Sequence, residues 1–347
     1  MSASFQTLKI RHTERETSDA LSVYFETPGW TWKPGQHITL RRTIKGEEVR
    51  RCYSISSSPF TEDGLRITVK RVKGGRMSNH INDHVEPDGM IDVMPPSGGF
   101  HREPDERARR TAYFFGAGSG VTPLFSMIQS LLIREPNSFA SLLVGNRRSK
   151  DILFRDTLAA LQAKHPDRFT VRHTLSRPGW SVKLTDWVKG RVDEERVQAF
   201  IHDAPPYAQD AHYYICGPGG MNQTVERALM GIDVPENRIF MESYGGDSEE
   251  DESVAGMAAR VNVRLGDDVH EVGVAEGQTL LEAMKTAGLN PPHSCEAGLC
   301  GACRAQLGKG SVHMRNRMAL MDDEIEAGAI LTCQAVPTET SLSIDFS

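Results

Sequence analysis

Four cysteines constrain this chain more than any other feature. Cys295, Cys300 and Cys303 lie in His293-Ser-Cys-Glu-Ala-Gly-Leu-Cys-Gly-Ala-Cys303 with the spacing C-x4-C-x2-C, and Cys333 follows after a gap that a strand and a loop fill. This is a spacing with which four thiolates hold a 2Fe-2S cluster. Thiolates converging on two irons need a tight loop, and Gly298 and Gly301 stand where such a loop needs free φ or close approach. Structural zinc usually takes two C-x2-C pairs, which this sequence does not have, and paired disulfides belong to secreted chains. A Rieske centre replaces two Cys with two His, so with four Cys in place His293 reads as a neighbour of the cluster and not a ligand.

At 347 residues the chain is too long for one cluster domain and suits two or three domains with their own cores. Met1 to Glu16 is polar and charged, and no apolar run approaches ~18 residues, so a soluble, cytoplasmic protein with no membrane span is expected. Cys52 and Cys216, the two cysteines outside the cluster, are far apart, which fits a reducing compartment. The net charge of -6 is uneven: residues 258–347 hold 7 Lys and Arg against 12 Asp and Glu. A mildly basic body carries an acidic tail, and neither half is basic enough to bind nucleic acid.

Residues 1–105 read as short strands and turns. Ala20 to Glu26, Gln36 to Arg41 and Leu65 to Lys70 alternate, Pro28-Gly29 and Lys33-Pro-Gly35 interrupt them, and a short helix is expected from Ser78 to Val85. An antiparallel β-barrel is the expectation. His101 to Arg110, basic and Pro-containing, reads as a linker. Residues 106–244 change to strand, Gly-rich turn and helix. Ala112 to Phe115 is a strand, Gly116-Ala-Gly-Ser-Gly120 a turn, and Thr122-Pro123 opens a helix with Leu124, Ile128, Leu131 and Leu132 on its apolar face. Strands at 141–144, 169–172 and 213–216 alternate with helices at 154–164 and 219–230, the last closed by Gly231, which predicts a doubly wound parallel sheet. Residues 245–257 form an acidic linker, and 258–347 the cluster domain, where Thr279 and Glu282 make a capping-box pattern on a helix from Leu280 to Ala287 that Gly288 stops.

Arg51-Cys-Tyr-Ser-Ile-Ser-Ser-Ser58 is a second chemical signature. A flavin needs an aromatic ring against its own, hydroxyls near the nitrogen that accepts hydride and a cation for its diphosphate, and Arg51, Tyr53 and Ser54 supply that set. Gly74-Gly-Arg-Met-Ser-Asn79 offers backbone N–H groups and a hydroxyl to a phosphate, with a plain surface turn as the other reading. His80 and His84 are spaced as helical metal ligands but lack a third partner in the sequence and read as surface residues; Met314, Met318 and Met321 read as core.

Arg51-x-Tyr53-Ser54, Gly75-x-x-Ser78, Gly116 to Pro123, Cys216-Gly-Pro-Gly-Gly-Met221 and Met241-Glu-Ser-Tyr244 occur in the order and spacing of the ferredoxin-NADP reductase superfamily, and the cluster loop resembles that of plant-type ferredoxins. Together they resemble the reductase components of multicomponent oxygenases, including those of CoA-thioester epoxidases and ketosteroid hydroxylases. The resemblance implies a β-grasp fold for the cluster domain. It implies that Arg51, Tyr53, Ser54, Gly75, Arg76, Met77 and Ser78 bind FAD. It implies that Gly116, Gly118, Gly120, Thr122, Cys216 and Gly217 bind the nicotinamide nucleotide, with Ser54, Cys216 and Glu242 bordering the hydride path. Ser176-Arg177 is similar to the Ser-Arg pair that holds the 2'-phosphate in NADP-dependent members, so NADPH is favoured and NADH stays open. Tyr244 matches an aromatic residue near which plant reductases end, whereas this chain continues. The implied activity is electron transfer from NAD(P)H through FAD and 2Fe-2S to an oxygenase partner. A stand-alone reductase of a quinone or ferric chelate, or a redox sensor or carrier, is the alternative.

Overall fold

The computed structural model describes residues 5–61, 63–178, 187–207, 210–243, 253–298, 300–317, 319–320 and 322–346. Six strands form the first sheet: β1 (Gln6–Thr17), β2 (Ala20–Phe25), β3 (His37–Ile44), β4 (Glu47–Ser54), β5 (Arg66–Lys70) and β6 (Met90–Ser97). Their order is β4-β3-β6-β1-β2-β5, antiparallel throughout. Two register shifts bend β1, so that Gln6 to Lys9 pairs with β6 while Ile10 to Thr17 pairs with β2. The two end strands meet where Ile55 bridges Ile67, which closes the sheet into the expected barrel over Ile38, Leu40, Ile67 and Val93.

Helix α1 (Arg76–His84) starts two residues earlier than Ser78. Gly75 is its N-cap, and the Ser78 hydroxyl accepts a hydrogen bond from the Val72 N–H at 3.2 Å instead of opening the helix. The segment read as a linker, His101 to Arg110, is fastened to the next domain. Arg102 Nη2 donates to both carboxylate oxygens of Glu135 at 2.6 Å, Arg110 Nη2 donates at 3.0 Å, and the Asp105 N–H adds a bond at 2.9 Å. Glu135 is fully buried, and these donors hold its carboxyl down at about 2 although burial alone would raise it.

The second sheet is parallel. Its strands are β7 (Thr111–Ala117), β8 (Phe139–Asn146), β9 (Phe169–Leu175), β10 (Trp187–Lys189), β11 (Ala211–Gly217) and β12 (Ile239–Ser243), in the order β10-β9-β8-β7-β11-β12. Alternation along β7 serves two cores. Ala112 and Phe114 pack with α2 (Val121–Arg134) and α3 (Arg155–Lys164), while Tyr113 and Phe115 pack with α4 (Glu194–Asp203) and α5 (Gly219–Met230). The sequence reading did not include α4, which Asp193 caps by accepting from the Arg196 N–H. Gly231 after α5 keeps right-handed backbone, φ -65, and the positive φ falls on Asp233. Barrel and parallel sheet are joined along α2: Ser126 Oγ donates to the Ser57 carbonyl at 2.6 Å, and Ser130, one turn on, meets Ser58 Oγ at 2.8 Å. Ser57 and Ser58 thus work in the domain contact.

In the third unit β13 (Ala259–Leu265), β14 (Asp268–Val274), β15 (Arg304–Lys309), β17 (Ala329–Leu331) and β19 (Ser341–Asp345) form a mixed sheet ordered β14-β13-β19-β15-β17, and β16 (Val312–Met314) pairs with β18 (Ala335–Pro337). Helix α6 (Leu280–Thr286) lies over the sheet with Leu280, Leu281 and Met284 buried, the β-grasp arrangement; a short α7 (Asp322–Glu326) precedes β17. The capping box of Thr279 and Glu282 is formed in both directions. Gly288, at φ 79, ends α6 as the sequence predicts: its N–H bonds the Lys285 carbonyl and the Leu289 N–H bonds that of Met284, a Schellman turn. Among the described residues no helix is long and apolar enough to cross a membrane. Most of the acidic linker, Tyr244, Met318 and Met321 lie outside the described residues.

Candidate flavin, nucleotide and iron-sulfur sites

The cysteine loop follows the Schellman turn. Cys300, Cys303 and Cys333 are buried and Cys295 half-buried. Cys303 Sγ and Cys333 Sγ lie 3.2 Å apart, and Cys300 shares a hydrogen bond with Cys295. An iron bridged by two sulfides keeps two tetrahedral positions, so a two-iron core asks for thiols in pairs, and pairs are what the loop presents. Its backbone is bent through positive φ at Glu296, Gly298 and Gly301. A Cβ on Gly298 would stand 2.9 Å from the Asn316 carbonyl, so a side chain is excluded there. Asn316 Nδ2 donates to the Ala297 carbonyl at 2.8 Å, and the Ala297 N–H points at Cys295 Sγ at 3.4 Å, a donor that favours the thiolate. The donor set fits the cluster. Among the described residues no three His, Cys, Asp or Glu side chains gather for a single ion, and His80 and His84, 5.0 Å apart ring to ring, remain a pair.

Strand β4 carries two sets of groups because successive side chains point to opposite faces. Arg51 and Tyr53 share one face. Arg51 Nη1 donates to the Arg50 carbonyl at 2.7 Å, and Tyr53 packs at the edge of the barrel core, where burial pushes its hydroxyl well up and keeps it neutral. Arg50 and Cys52 share the other face and meet the third domain. Arg50 Nη2 donates to Asn290 Oδ1 at 2.9 Å, Arg50 Nη1 lies 3.2 Å from His293 Nδ1, and Cys52 Sγ donates to Ser294 Oγ at 3.1 Å. Cys52 also approaches the Cys300 thiol closely enough to influence it. Ser54 is buried and pairs across the sheet with His37. His37 is buried too; desolvation lowers its pKa, against the pull of Glu242 from the parallel sheet and Cys295 from the cluster loop. His37 thus feels charge from both of the other domains. The Arg51, Tyr53 and Arg76 set fits a flavin with a diphosphate, and Arg76 now reaches Glu47 and the Ile44 carbonyl.

The nucleotide residues converge at the C-terminal ends of β7 and β11, where the strand order switches direction. Gly118 has φ 55, and a Cβ on Gly120 would fall 1.9 Å from the Cys216 carbonyl, so only glycine lets the turn pack on β11. Gly116 pairs with Cys216 and Cys216 with Glu242, whose Oε2 is 3.7 Å from the Cys216 thiol. Thr122 Oγ1 donates to the Ser119 carbonyl at 2.8 Å, which ties α2 to the turn, and Gly217 lies against Met221. Ser176 and Arg177 follow β9, and the Arg177 N–H bonds the Arg147 carbonyl at 2.8 Å. Arg147 and Arg177 are both exposed, and among the described residues neither has a carboxylate partner, whereas Arg148 is paired with Asp151.

Three family models match in succession: an oxidoreductase FAD-binding domain over residues 7–101, an oxidoreductase NAD-binding domain over 114–227 and a 2Fe-2S iron-sulfur cluster binding domain over 264–338. The chain is similar to a component of the 1,2-phenylacetyl-CoA epoxidase of Escherichia coli, 32% identical with 99% of this chain and 98% of that protein covered. It is similar to the ferredoxin reductase component of 3-ketosteroid-9-alpha-monooxygenase of Rhodococcus rhodochrous, 34% identical over 98% and 96%. A solved phthalate dioxygenase reductase shares the fold across 99% of this chain and 98% of that one, with a TM-score of 0.61 at 23% identity. The chain belongs to the ferredoxin-NADP reductase superfamily, in the branch of FAD-, NAD- and 2Fe-2S-binding oxidoreductases whose cluster domain is C-terminal.

The sequence reading missed Arg50, Cys52, His37 and Asn290. Alternation along β4 offered a signal for the first two, since Arg50 and Cys52 must face away from Arg51 and Tyr53.

Proposed function

We propose that this protein is the reductase component of a multicomponent oxygenase, taking hydride from NADPH and delivering single electrons to the oxygenase. The observation that carries this reading is strand β4: it bears Arg51 and Tyr53 for the flavin on one face, and Cys52 on the other, the face of Ser54, bonds Ser294 and lies by the Cys300 thiol of the cluster loop. Bound FAD would accept the electron pair of a hydride, and the 2Fe-2S cluster would carry electrons one at a time.

The side chains position the donors and acceptors. Arg51, Tyr53, Ser54 and the Gly75, Arg76, Met77 and Ser78 turn hold FAD. Gly116, Gly118, Gly120, Thr122, Cys216 and Gly217 admit the nucleotide at the sheet's switch point, and Ser54, Cys216 and Glu242 border the hydride path. Ser176 and Arg177, with Arg147 beside them, favour NADPH over NADH because a guanidinium with no carboxylate partner among the described residues suits a 2'-phosphate. Cys295, Cys300, Cys303 and Cys333 would hold the 2Fe-2S cluster. The oxygenase is one acting on an aromatic or CoA-thioester substrate or one of the Rieske type. NADPH oxidation measured with purified candidate oxygenases, and with quinone or ferric chelate alone, tests the reading; turnover with the small acceptors and none with any oxygenase would replace it with a stand-alone reductase.

A further inference from the structure

Between the barrel and the cluster domain lies a cavity of about 480 Å³, within the size range of ligand sites. Arg51 and Arg76, the cations of the flavin signature, line it from the barrel side, and Lys285 of α6 lines it from the other. Val49 and Leu289 add apolar wall on either side, and Arg50 forms part of the floor where it meets Asn290 and His293. Arg50, Arg51, Arg76 and Lys285 face two carboxylates, Glu48 and Glu296, so the cavity has an excess of positive charge. The Schellman turn at Gly288 is what brings Lys285 and Leu289 to it, since it reverses the chain at the end of α6.

We propose that this cavity is a two-domain site for the adenosine diphosphate end of FAD, with Lys285 of the cluster domain as a ligand opposite Arg51 and Arg76. The proposal rests on the reading of Arg51 and Arg76 as flavin ligands. Lys285 Nζ now bonds Glu296 Oε1 at 3.0 Å, with both side chains about half exposed, and a dianionic diphosphate is the stronger partner for a mobile ammonium. Cofactor binding and seating of the cluster domain then reinforce each other, because the same molecule touches both.

The test is direct titration of full-length apoprotein, reconstituted in its cluster, with FAD and with FMN, which lacks the adenosine half. Lys285→Ala should weaken FAD binding on the order of 10-fold and FMN, which keeps one of the two phosphates, less; Lys285→Glu should weaken FAD binding further, and Lys285→Arg should restore it. Unchanged FAD affinity in Lys285→Ala, or an equal loss for FMN, overturns the proposal. Arg51→Ala separates the two levels: it should weaken both flavins, and if it weakens neither, the flavin reading itself fails. Far-ultraviolet circular dichroism and cluster absorbance of each variant distinguish lost binding from lost folding.

Discussion

Arg50 Nη1 lies 3.2 Å from Nδ1 of His293, two residues before the first cluster cysteine, and its Nη2 donates to Asn290 at 2.9 Å. The guanidinium is 7% exposed and also pairs with Glu48 at 2.7 Å, so one side chain fastens the cluster domain to the strand that carries the flavin residues. Arg50→Ala should cost docking roughly 1.5 to 3 kcal/mol, the range for a hydrogen bond to a charged group. Stopped-flow absorbance should then show flavin reduction by NADPH at the wild-type rate and slower reduction of the cluster, with small-angle scattering reporting a larger radius of gyration. Equal slowing of both steps would mean that Arg50 acts on the flavin itself.

Arg177→Ala should raise the Kd for NADPH and leave that for NADH nearly unchanged, since only the 2'-phosphate offers the lost charge-assisted contact, worth roughly 1.5 to 3 kcal/mol. Arg147→Ala should do the same more weakly. Equal effects on both nucleotides would make Arg177 ordinary loop.

Cys333→Ser should leave the chain with FAD and without a stable 2Fe-2S cluster, because Cys333 is the partner thiol of Cys303 at 3.2 Å. Iron and acid-labile sulfide analysis against flavin content reads the result. An intact cluster in this variant would remove Cys333 from the ligand set.

Glu135 makes the junction between barrel and parallel sheet sensitive to acid. Its folded carboxyl is held at about 2 against an ordinary 4.5, so its contribution is present above 4.5 and is lost as pH falls toward 2. Thermal melts over that interval should lose on the order of 3 kcal/mol more in the wild type than in Glu135→Gln. At neutral pH Glu135→Gln should be less stable by roughly 3 to 5 kcal/mol, because Arg102 is left buried without its counter-charge.

The cluster loop and the Gly116 to Pro123 turn were legible because their constraints are local. Thiol spacing, a glycine that must pack on the next strand and the 3.6-residue period of Leu124, Ile128 and Leu131 all show within a dozen residues. Helix α4 was less so, since its apolar stripe is the single turn of Val197, Phe200 and Ile201 in a segment otherwise mostly polar. Arg102 and Arg110 read as a solvated linker because the acid that neutralises them, Glu135, is far along the chain. Arg50 and Cys52 were hidden for the same reason: each owes its role to a contact between domains, with His293 243 residues from Arg50. Ser57 and Ser58, read as part of a flavin signature, join barrel to α2 through the Ser57 carbonyl and the Ser58 hydroxyl, while the Ser57 hydroxyl accepts from the Arg66 N–H within the barrel.

The proposed electron path runs from nucleotide to flavin to cluster and then to a protein acceptor. Anaerobic rapid-freeze electron paramagnetic resonance after mixing with NADPH follows it directly, with the oxygenase component added in a second mix. Flavin bleaching should precede a reduced-cluster signal, and that signal should decay at a rate set by oxygenase concentration. A cluster that stays oxidised while the flavin is reduced, or a reduced cluster indifferent to every oxygenase offered, would contradict the account.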